Sequence, residues 1–302
     1  MSRTTRSEPL VTVGLPVYNG ERYVGDAIDS ILGQSFQDFR LLIADNASTD
    51  ATADICRDYA RQDARIEYIR NPRNLGMAGN YRLVFGLCRS KYFRWATADD
   101  YSGPEMLAEA VRVMEADSGL SLCYPRAYFV DGAGRELSRW SDELHLVQDD
   151  PVERFRGVLE GIGRVHHHLG LMRTSCVRQT GLLTKHVASD VVFVAEMSLY
   201  GKLYQIPEYQ FYRRMHEDSS SWDPGSEKHQ ARRYHAASVN RIPFNRARLH
   251  GRLVECVQRS PLSSRDKSRA YRFLARRVFW DRAELARELI RELRIAAGHD
   301  PF

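Results

Sequence analysis

Apolar residues in the first 125 positions fall into short runs separated by amphipathic stretches. Val11–Leu15, Leu41–Ala44, Ile66–Ile69, Tyr92–Ala96 and Leu120–Tyr124 have the length and character of buried strands. Between the first two, Val24, Ala27, Ile28, Ile31 and Leu32 recur at helical spacing, in a helix opened at Gly20. A second helix is predicted over Ser48–Tyr59, with Thr49 or Asp50 available as its cap, and a third over Met77–Cys88. A fourth starts at Pro104 and turns Met106, Leu107, Ala110, Val111 and Met114 to one side. Such alternation predicts an α/β fold: a Rossmann-like, mostly parallel sheet sandwiched by helices. Ligands of such sheets bind beyond the carboxyl ends of the strands, so the residues just after each strand become the ones to read.

The pattern breaks between Asp131 and Asp150, where Gly132 and Gly134 mark one turn and Asp149-Asp150-Pro151 another. A strand over Leu169–Arg173, a helix over Val191–Leu199 and two short strands, Leu203–Ile206 and Tyr209–Arg213, are expected next. After Asp223-Pro224-Gly225 the chain reads as helical, with Leu285, Leu289 and Leu293 four residues apart. Three regions result: 1–130, 131–222, and a helical C-terminal extension over 223–302.

Composition narrows the class. The 302 residues are 43% apolar, and no run of roughly 20 apolar residues suggests a membrane span. Residues 1–10 lack the apolar core of a secretory signal, so none is expected. Cys56, Cys88, Cys123, Cys176 and Cys256 form no C-x-x-C pair, which argues against a zinc knuckle or disulfide framework and for a reducing, cytoplasmic setting. The net charge of +5 comes from arginines gathered toward the C-terminus. Those helices are expected to be a solvated face, a peripheral contact with the inner face of a membrane, or a homodimer interface; no nucleic-acid partner is expected.

Four strand ends carry polar, ligand-type residues. After the first come Pro16-Val17-Tyr18-Asn19-Gly20, a tight turn. After the second, Asp45-Asn46-Ala47-Ser48-Thr49-Asp50 offers a carboxylate to a base N–H or ribose hydroxyl. After the third, Arg70-Asn71-Pro72-Arg73-Asn74-Leu75-Gly76 sets arginines and amides near a helix start, which suits a diphosphate. After the fourth, Thr97-Ala98-Asp99-Asp100 brings two adjacent carboxylates that repel unless a cation lies between them. Mg²⁺ or Mn²⁺, which take one or two carboxylates plus phosphate oxygens, would be that cation. His166-His167-His168 invites a metal assignment, with His166 and His168 on one face of a strand, but a structural or acceptor-site role is the preferred expectation. Trp95, Trp140 and Trp222 are candidates for stacking on a sugar ring, with core packing preferred for Trp95.

Taken in order, Val13-Gly14-Leu15-Pro16-Val17-Tyr18-Asn19-Gly20, Ile43-Ala44-Asp45-Asn46-Ala47-Ser48-Thr49-Asp50, Asn74-Leu75-Gly76 and Ala98-Asp99-Asp100 resemble the family 2 glycosyltransferases, over roughly residues 10–220. The resemblance implies a GT-A fold and an inverting, non-processive transfer from a nucleoside-diphosphate sugar. UDP would be the first carrier to try, then dTDP or GDP, with a glycan, lipid-linked or small-molecule acceptor. It implies that residues 1–130 bind the donor and 131–222 hold the acceptor and the catalytic base. Pro16, Tyr18 and Asp45 would hold the nucleotide base, with Asn19 beside them, and Asn74 would lie near the phosphates. Asp99 would bind the metal in the family's D-x-D element, joined by Asp100 and by His216. Thr97 stands where the first acidic residue of that element belongs, and Asn46 where many relatives have an aspartate. Asp190, preceding an apolar helix, would be the general base. Arg213 or Arg214 would meet the diphosphate. A non-catalytic nucleotide-sugar-binding module and a sugar-nucleotide pyrophosphorylase are the alternatives. The latter's Gly-rich, lysine-bearing phosphate loop is missing after the first strand.

Overall fold

The protein is described here by a computed structural model covering residues 8–140, 144–163, 166–185, 188–217 and 244–297. Four parallel strands make up one half of a single sheet: β1 (Val11–Val17), β2 (Phe39–Asp45), β3 (Ile66–Arg70) and β4 (Tyr92–Trp95). The other half holds β5 (Tyr101–Ser102), β6 (Leu120–Val130), β7 (Glu136–Trp140), β8 (Leu171–Arg173) and β9 (Lys202–Arg214). Spatial order is β3-β2-β1-β4-β8-β6-β9-β5, with β7 paired to the outer part of β6. The β8 strand runs antiparallel to both β4 and β6, whereas β6 and β9 are parallel.

Alternate residues of the strands feed two cores, one on each face. Val11, Val13, Leu15 and Val17 of β1 join Leu41 and Ile43 of β2 against α1 (Val24–Leu32) and α4 (Met106–Ala116). Leu42, Ala44, Phe93 and Trp95 point the other way, to α3 (Gly76–Gly86), α5 (Pro151–Gly161) and α7 (Ser189–Tyr200). The period of two along each strand thus becomes the two-sided burial of a sandwiched sheet. Gly14 is needed for this packing, because a Cβ there would overlap the Val84 side chain of α3. Trp95 is fully buried, edge-on to Phe93 and Phe193, and its indole N–H donates to the Tyr81 carbonyl, so it packs the core.

The expected α/β architecture holds, and several boundaries move. The second helix, α2, covers Thr52–Gln62 rather than starting at Ser48, because Ser48 and Asp50 are bonded to the turn after β1. The run ending at Tyr124 continues to Val130 because β9 and β7 pair with its outer half. The two short strands expected over 203–213 are one strand, β9, whose pairing with β6 shifts register near Arg126. The strand expected to start at Leu169 begins at Leu171 and runs into the short helix α6 (Thr174–Val177), and His167–Leu169 forms a turn of 3₁₀ helix instead. His166 and His168 therefore do not share a strand face. The β6–β7 hairpin and α5 were not read from the sequence; α5 opens with Asp150 accepting from the Val152 and Glu153 N–H groups and with Pro151 in its first turn.

The C-terminal part contains α8 (Asn245–Arg259), α9 (Ser264–Trp280) and α10 (Arg282–Ala296), so the helical reading holds where the chain is described. Trp222 lies outside the described residues, as does the rest of 218–243. All five cysteines are buried and free.

Candidate active site

A cavity of about 750 Å³ opens at the carboxyl ends of β1, β2 and β4. Pro16, Tyr18, Asn19, Asn74, Thr97, Asp99 and His216 line it, so seven of the residues singled out in the sequence converge on one space. Asp45, Asp100, Arg213 and Asp190 are not in that lining. Arg22, Tyr23, Met77 and Tyr81 are, and the sequence reading passed over them; the only available signal was that Arg22 and Tyr23 follow the Asn19-Gly20 turn.

The turn after β1 is held by the loop after β2. Asn19 has φ of 49°, a left-handed conformation that asparagine tolerates. Its N–H donates to Ser48 Oγ, and its Oδ1 accepts from the Thr49 N–H at 2.8 Å. The Gly20 N–H donates to Thr52 Oγ1 and that of Glu21 to Asp50. Ser48-Thr49-Asp50 thus fixes the cavity wall, which is why it does not extend α2. Beneath that loop Asp45 is fully buried. Its Oδ1 accepts from the Ser48 N–H and its Oδ2 from the Tyr68 hydroxyl, both at 2.8 Å. Burial, reinforced by the hydrogen bond to this carboxylate, pushes the Tyr68 phenol above its ordinary range.

A cluster of side-chain amides forms the floor beside Asn74. Asn46 Nδ2 donates to Asn74 Oδ1 at 2.8 Å and to the Gly76 carbonyl at 3.3 Å. Asn46 Oδ1 accepts from Asn71 Nδ2 and from the Leu75 N–H. Asn71 Nδ2 also reaches Asn80, whose own Nδ2 donates to the Ala44 carbonyl. Asn46 uses its donor and its acceptor at once, which a carboxylate cannot do. The amide is therefore a requirement of this floor. Gly76 has φ of 74°, and the chain turns there into α3.

The adjacent carboxylates split. Asp99 faces the cavity, with its Oδ2 3.3 Å from His216 Nε2. Asp100 turns inward, accepting from the Thr97 hydroxyl at 2.7 Å and from the Arg214 N–H at 2.9 Å. Burial, reinforced by the charge of Asp99, raises the Asp100 carboxyl to about 7. Thr97 is explained by this contact: an acidic side chain in its place would face Asp100 with no proton to give. Among the described residues no group of three His, Cys, Asp or Glu side chains could hold a metal. Among the described residues Asp99 and His216 offer one oxygen and one nitrogen donor toward the cavity, so a divalent ion there would need its remaining ligands from substrate or water.

Arg214 is engaged internally. Its guanidinium bonds Asp26 at 2.9 Å and lies 4.2 Å from the Tyr23 ring centroid, and Tyr23 in turn packs on His216. Arg213, the residue before it on β9, carries a positive charge that acts on both Asp100 and His168. His168 also feels the charge of Asp190, in the first turn of α7. Burial holds the His168 imidazole down to about 4, against the pull of Asp190. Asp190 thus stands near His168, and its Oδ1 accepts from the Val191 N–H at 2.9 Å. Of the other two histidines, His166 bonds the Pro125 carbonyl and His167 packs against Tyr124, both buried.

Residues 12–180, more than half of the chain, match the model of glycosyl transferase family 2. The chain belongs to this family. A glycosyltransferase of Methanocaldococcus jannaschii is 33% identical over 144 residues, covering 47% of this chain and 50% of the relative. One of Haemophilus influenzae is 26% identical over 224 residues, or 70% and 68%. The chain thus spans half the length of the archaeal relative and about two thirds of the bacterial one. Among solved structures, Staphylococcus aureus TarS 1–349 in complex with UDP-GlcNAc superposes with a TM-score of 0.67 at 16% identity, over 89% of this chain and 72% of that one. The Pyrobaculum calidifontis mannosyltransferase PcManGT, in complex with GDP-Man and Mn²⁺, gives 0.55 at 15% identity, over 95% and 88%. Both likenesses bear on the fold. As a family 2 glycosyltransferase, the enzyme carries its cavity where open α/β sheets bind ligands, beyond the strands' carboxyl ends.

Proposed function

We propose that this glycosyltransferase moves a sugar from a nucleoside-diphosphate donor to an acceptor hydroxyl by a single inverting displacement. The observation that carries the reading is the Asp99–His216 pair facing a cavity walled by Pro16, Tyr18, Asn19 and Asn74. Tyr18, half exposed, offers a ring face to the nucleotide base, and Asn74 sits beside the diphosphate. Asp45, with both oxygens engaged, braces the base-binding loop from below. Thr97 lines the ribose side, and Arg22 at the cavity edge adds a cation for the phosphates. Residues 1–130 form the donor half, and 131–222 contribute the base and the acceptor side.

Asp99 and His216 would hold Mn²⁺ or Mg²⁺; His216's imidazole favours Mn²⁺. Bound there with phosphate oxygens, the ion would offset the negative charge of the departing diphosphate. Asp190 takes the proton of the acceptor hydroxyl as that oxygen bonds to the anomeric carbon. The bond from the anomeric carbon to the β-phosphate oxygen breaks, and its electron pair leaves with the nucleoside diphosphate. Arg213, whose charge reaches His168 as that of Asp190 does, adds positive charge toward the reacting centre. His168, neutral at physiological pH, lines the acceptor side without adding charge next to the base.

UDP-sugars are the first donors to test, then dTDP- and GDP-sugars; TarS with UDP-GlcNAc and PcManGT with GDP-Man support this range. A thermal-shift panel of UDP, dTDP and GDP, each with and without Mn²⁺, tests the reading. A nucleotide at 100 times its Kd stabilises the protein by about 2.7 kcal/mol. One nucleotide should stand out, and more strongly with Mn²⁺. If none shifts the transition, the donor site is wrong. If one shifts it equally without metal and with Asp99→Ala, the metal assignment is wrong.

A further inference from the structure

The C-terminal helices turn the wrong residues outward. In α10, Glu288 is buried, its carboxylate accepting from the Arg246 and Ala247 N–H groups at the start of α8. Leu289, Ile290 and Leu293, one residue and more along the same helix, are half exposed or more. At the end of α9, Val278, Phe279 and Trp280 are also exposed, the two aromatic residues at 61% each. A helix that buries a glutamate and presents leucines to solvent has an apolar stripe suited to something outside its own fold.

The charge around that stripe selects the occupant. Residues 244–297 hold thirteen arginines and one lysine against six acidic residues, a surplus of eight in a chain whose net charge is +5. A groove of about 340 Å³ between α5 and α9 is lined by Arg156, Arg269, Arg272 and Arg276 around Phe273 and Val152, with Glu153 its one carboxylate against four guanidinium groups. Arg269 is paired with Asp150 and Asp266, and Arg156 with Glu160. Among the described residues no carboxylate pairs with Arg272 or Arg276, and the Arg276 guanidinium lies 5.3 Å from the Trp280 ring. Arg282 lies 4.2 Å from the Phe279 ring. Residues 269, 272, 273, 276 and 280 form one stripe of α9, since they recur at three- and four-residue spacing. Arginine beside exposed tryptophan, phenylalanine and leucine is the composition of a helix that lies in a lipid headgroup layer. A second copy of this surface would bring one basic surplus against another, whereas an anionic bilayer neutralises it.

We infer that the α9–α10 surface docks this enzyme peripherally on an anionic lipid bilayer, with the arginine groove receiving headgroup phosphates and Phe279, Trp280 and the α10 leucines entering the interface. This inference is independent of the donor and the base. The test is co-sedimentation of the full chain with phosphatidylcholine vesicles and with vesicles that also contain phosphatidylglycerol. Binding is expected to the anionic vesicles alone, and to weaken as salt rises. Arg272→Ala with Arg276→Ala should weaken it roughly 25-fold, about fivefold for each charge removed near the surface. Phe279→Ala with Trp280→Ala should weaken it at every salt concentration. Both double variants should keep the wild-type nucleotide thermal shift, which separates lost docking from lost folding. Equal binding to neutral and anionic vesicles, no vesicle binding in low salt, or undiminished binding by the arginine variant would overturn the inference. So would a dimer in sedimentation that Leu289→Ser with Leu293→Ser disperses while vesicles stay unbound.

Discussion

Replacing Asn46 by aspartate is the sharpest test of how the cavity floor is built, because it introduces the acidic residue that the family resemblance leads one to expect there and changes one heavy atom. Asn46 is buried, and its Nδ2 donates to Asn74 Oδ1 and to the Gly76 carbonyl. Its Oδ1 accepts from Asn71 and from the Leu75 N–H. In Asn46→Asp the two acceptances survive, and the two donations become oxygen facing oxygen. Each lost bond is worth about 1 kcal/mol, and a buried acceptor left facing another acceptor costs about 1–3 kcal/mol more. Two lost bonds and one such acceptor together predict destabilisation of about 3–5 kcal/mol at neutral pH, read by urea denaturation as a lower midpoint at unchanged slope. The penalty should shrink as pH falls, since a protonated carboxyl regains one donor. Here the introduced carboxyl has a folded pKa raised above its unfolded value, so the fold binds more protons than the unfolded chain. The variant's deficit therefore grows as pH rises through that window. Nucleotide affinity should fall too, because Asn74 loses the bond that orients it. A variant within about 0.5 kcal/mol of wild type at pH 7, or a deficit independent of pH, would refute the amide-floor argument.

Asp190→Asn should lower kcat by roughly 10²–10⁴ with the nucleotide-induced thermal shift intact; wild-type turnover would remove Asp190 as the base. Trp95→Ala removes a fully buried indole from between Phe93 and Phe193 and should cost about 3–5 kcal/mol in chemical denaturation. Gly170→Ala would push a methyl group into the Cys123 carbonyl and should destabilise by about 1–3 kcal/mol, measured as a lower Tm. His168, held at about 4 in the fold against about 6.5 when unfolded, binds fewer protons in the native state across that window. Its contribution to stability is complete above about pH 6.5 and is lost as pH falls through 4, so wild type should lose ground to His168→Gln over that range in paired pH-dependent melts.

The sequence alone determined the α/β layering, because strands buried on both faces are written as unbroken apolar runs and covering helices as three- and four-residue repeats. It also pointed to the cavity, since an open parallel sheet presents its strand ends on one side, and Tyr18, Asn19, Asn74, Thr97 and Asp99 all follow strands. It could not decide which polar side chains face the ligand and which hold the wall. Asp99 and Asp100 are neighbours in the chain, yet one faces the cavity and the other is bonded to Thr97 and to the Arg214 backbone, on a strand more than a hundred residues away. Ser48 reads as the start of a helix and instead accepts from the Asn19 N–H, while Asp50 accepts both from the Thr52 N–H that opens α2 and from the Glu21 N–H of the turn after β1. His168 gave no sign of its nearness to Asp190, since a 3₁₀ turn and a helix start separated by some twenty residues meet only after the sheet has formed. Local pattern fixes which face of an element is apolar. The pairing of polar atoms across loops depends on ångström-scale separations that only the packed chain sets.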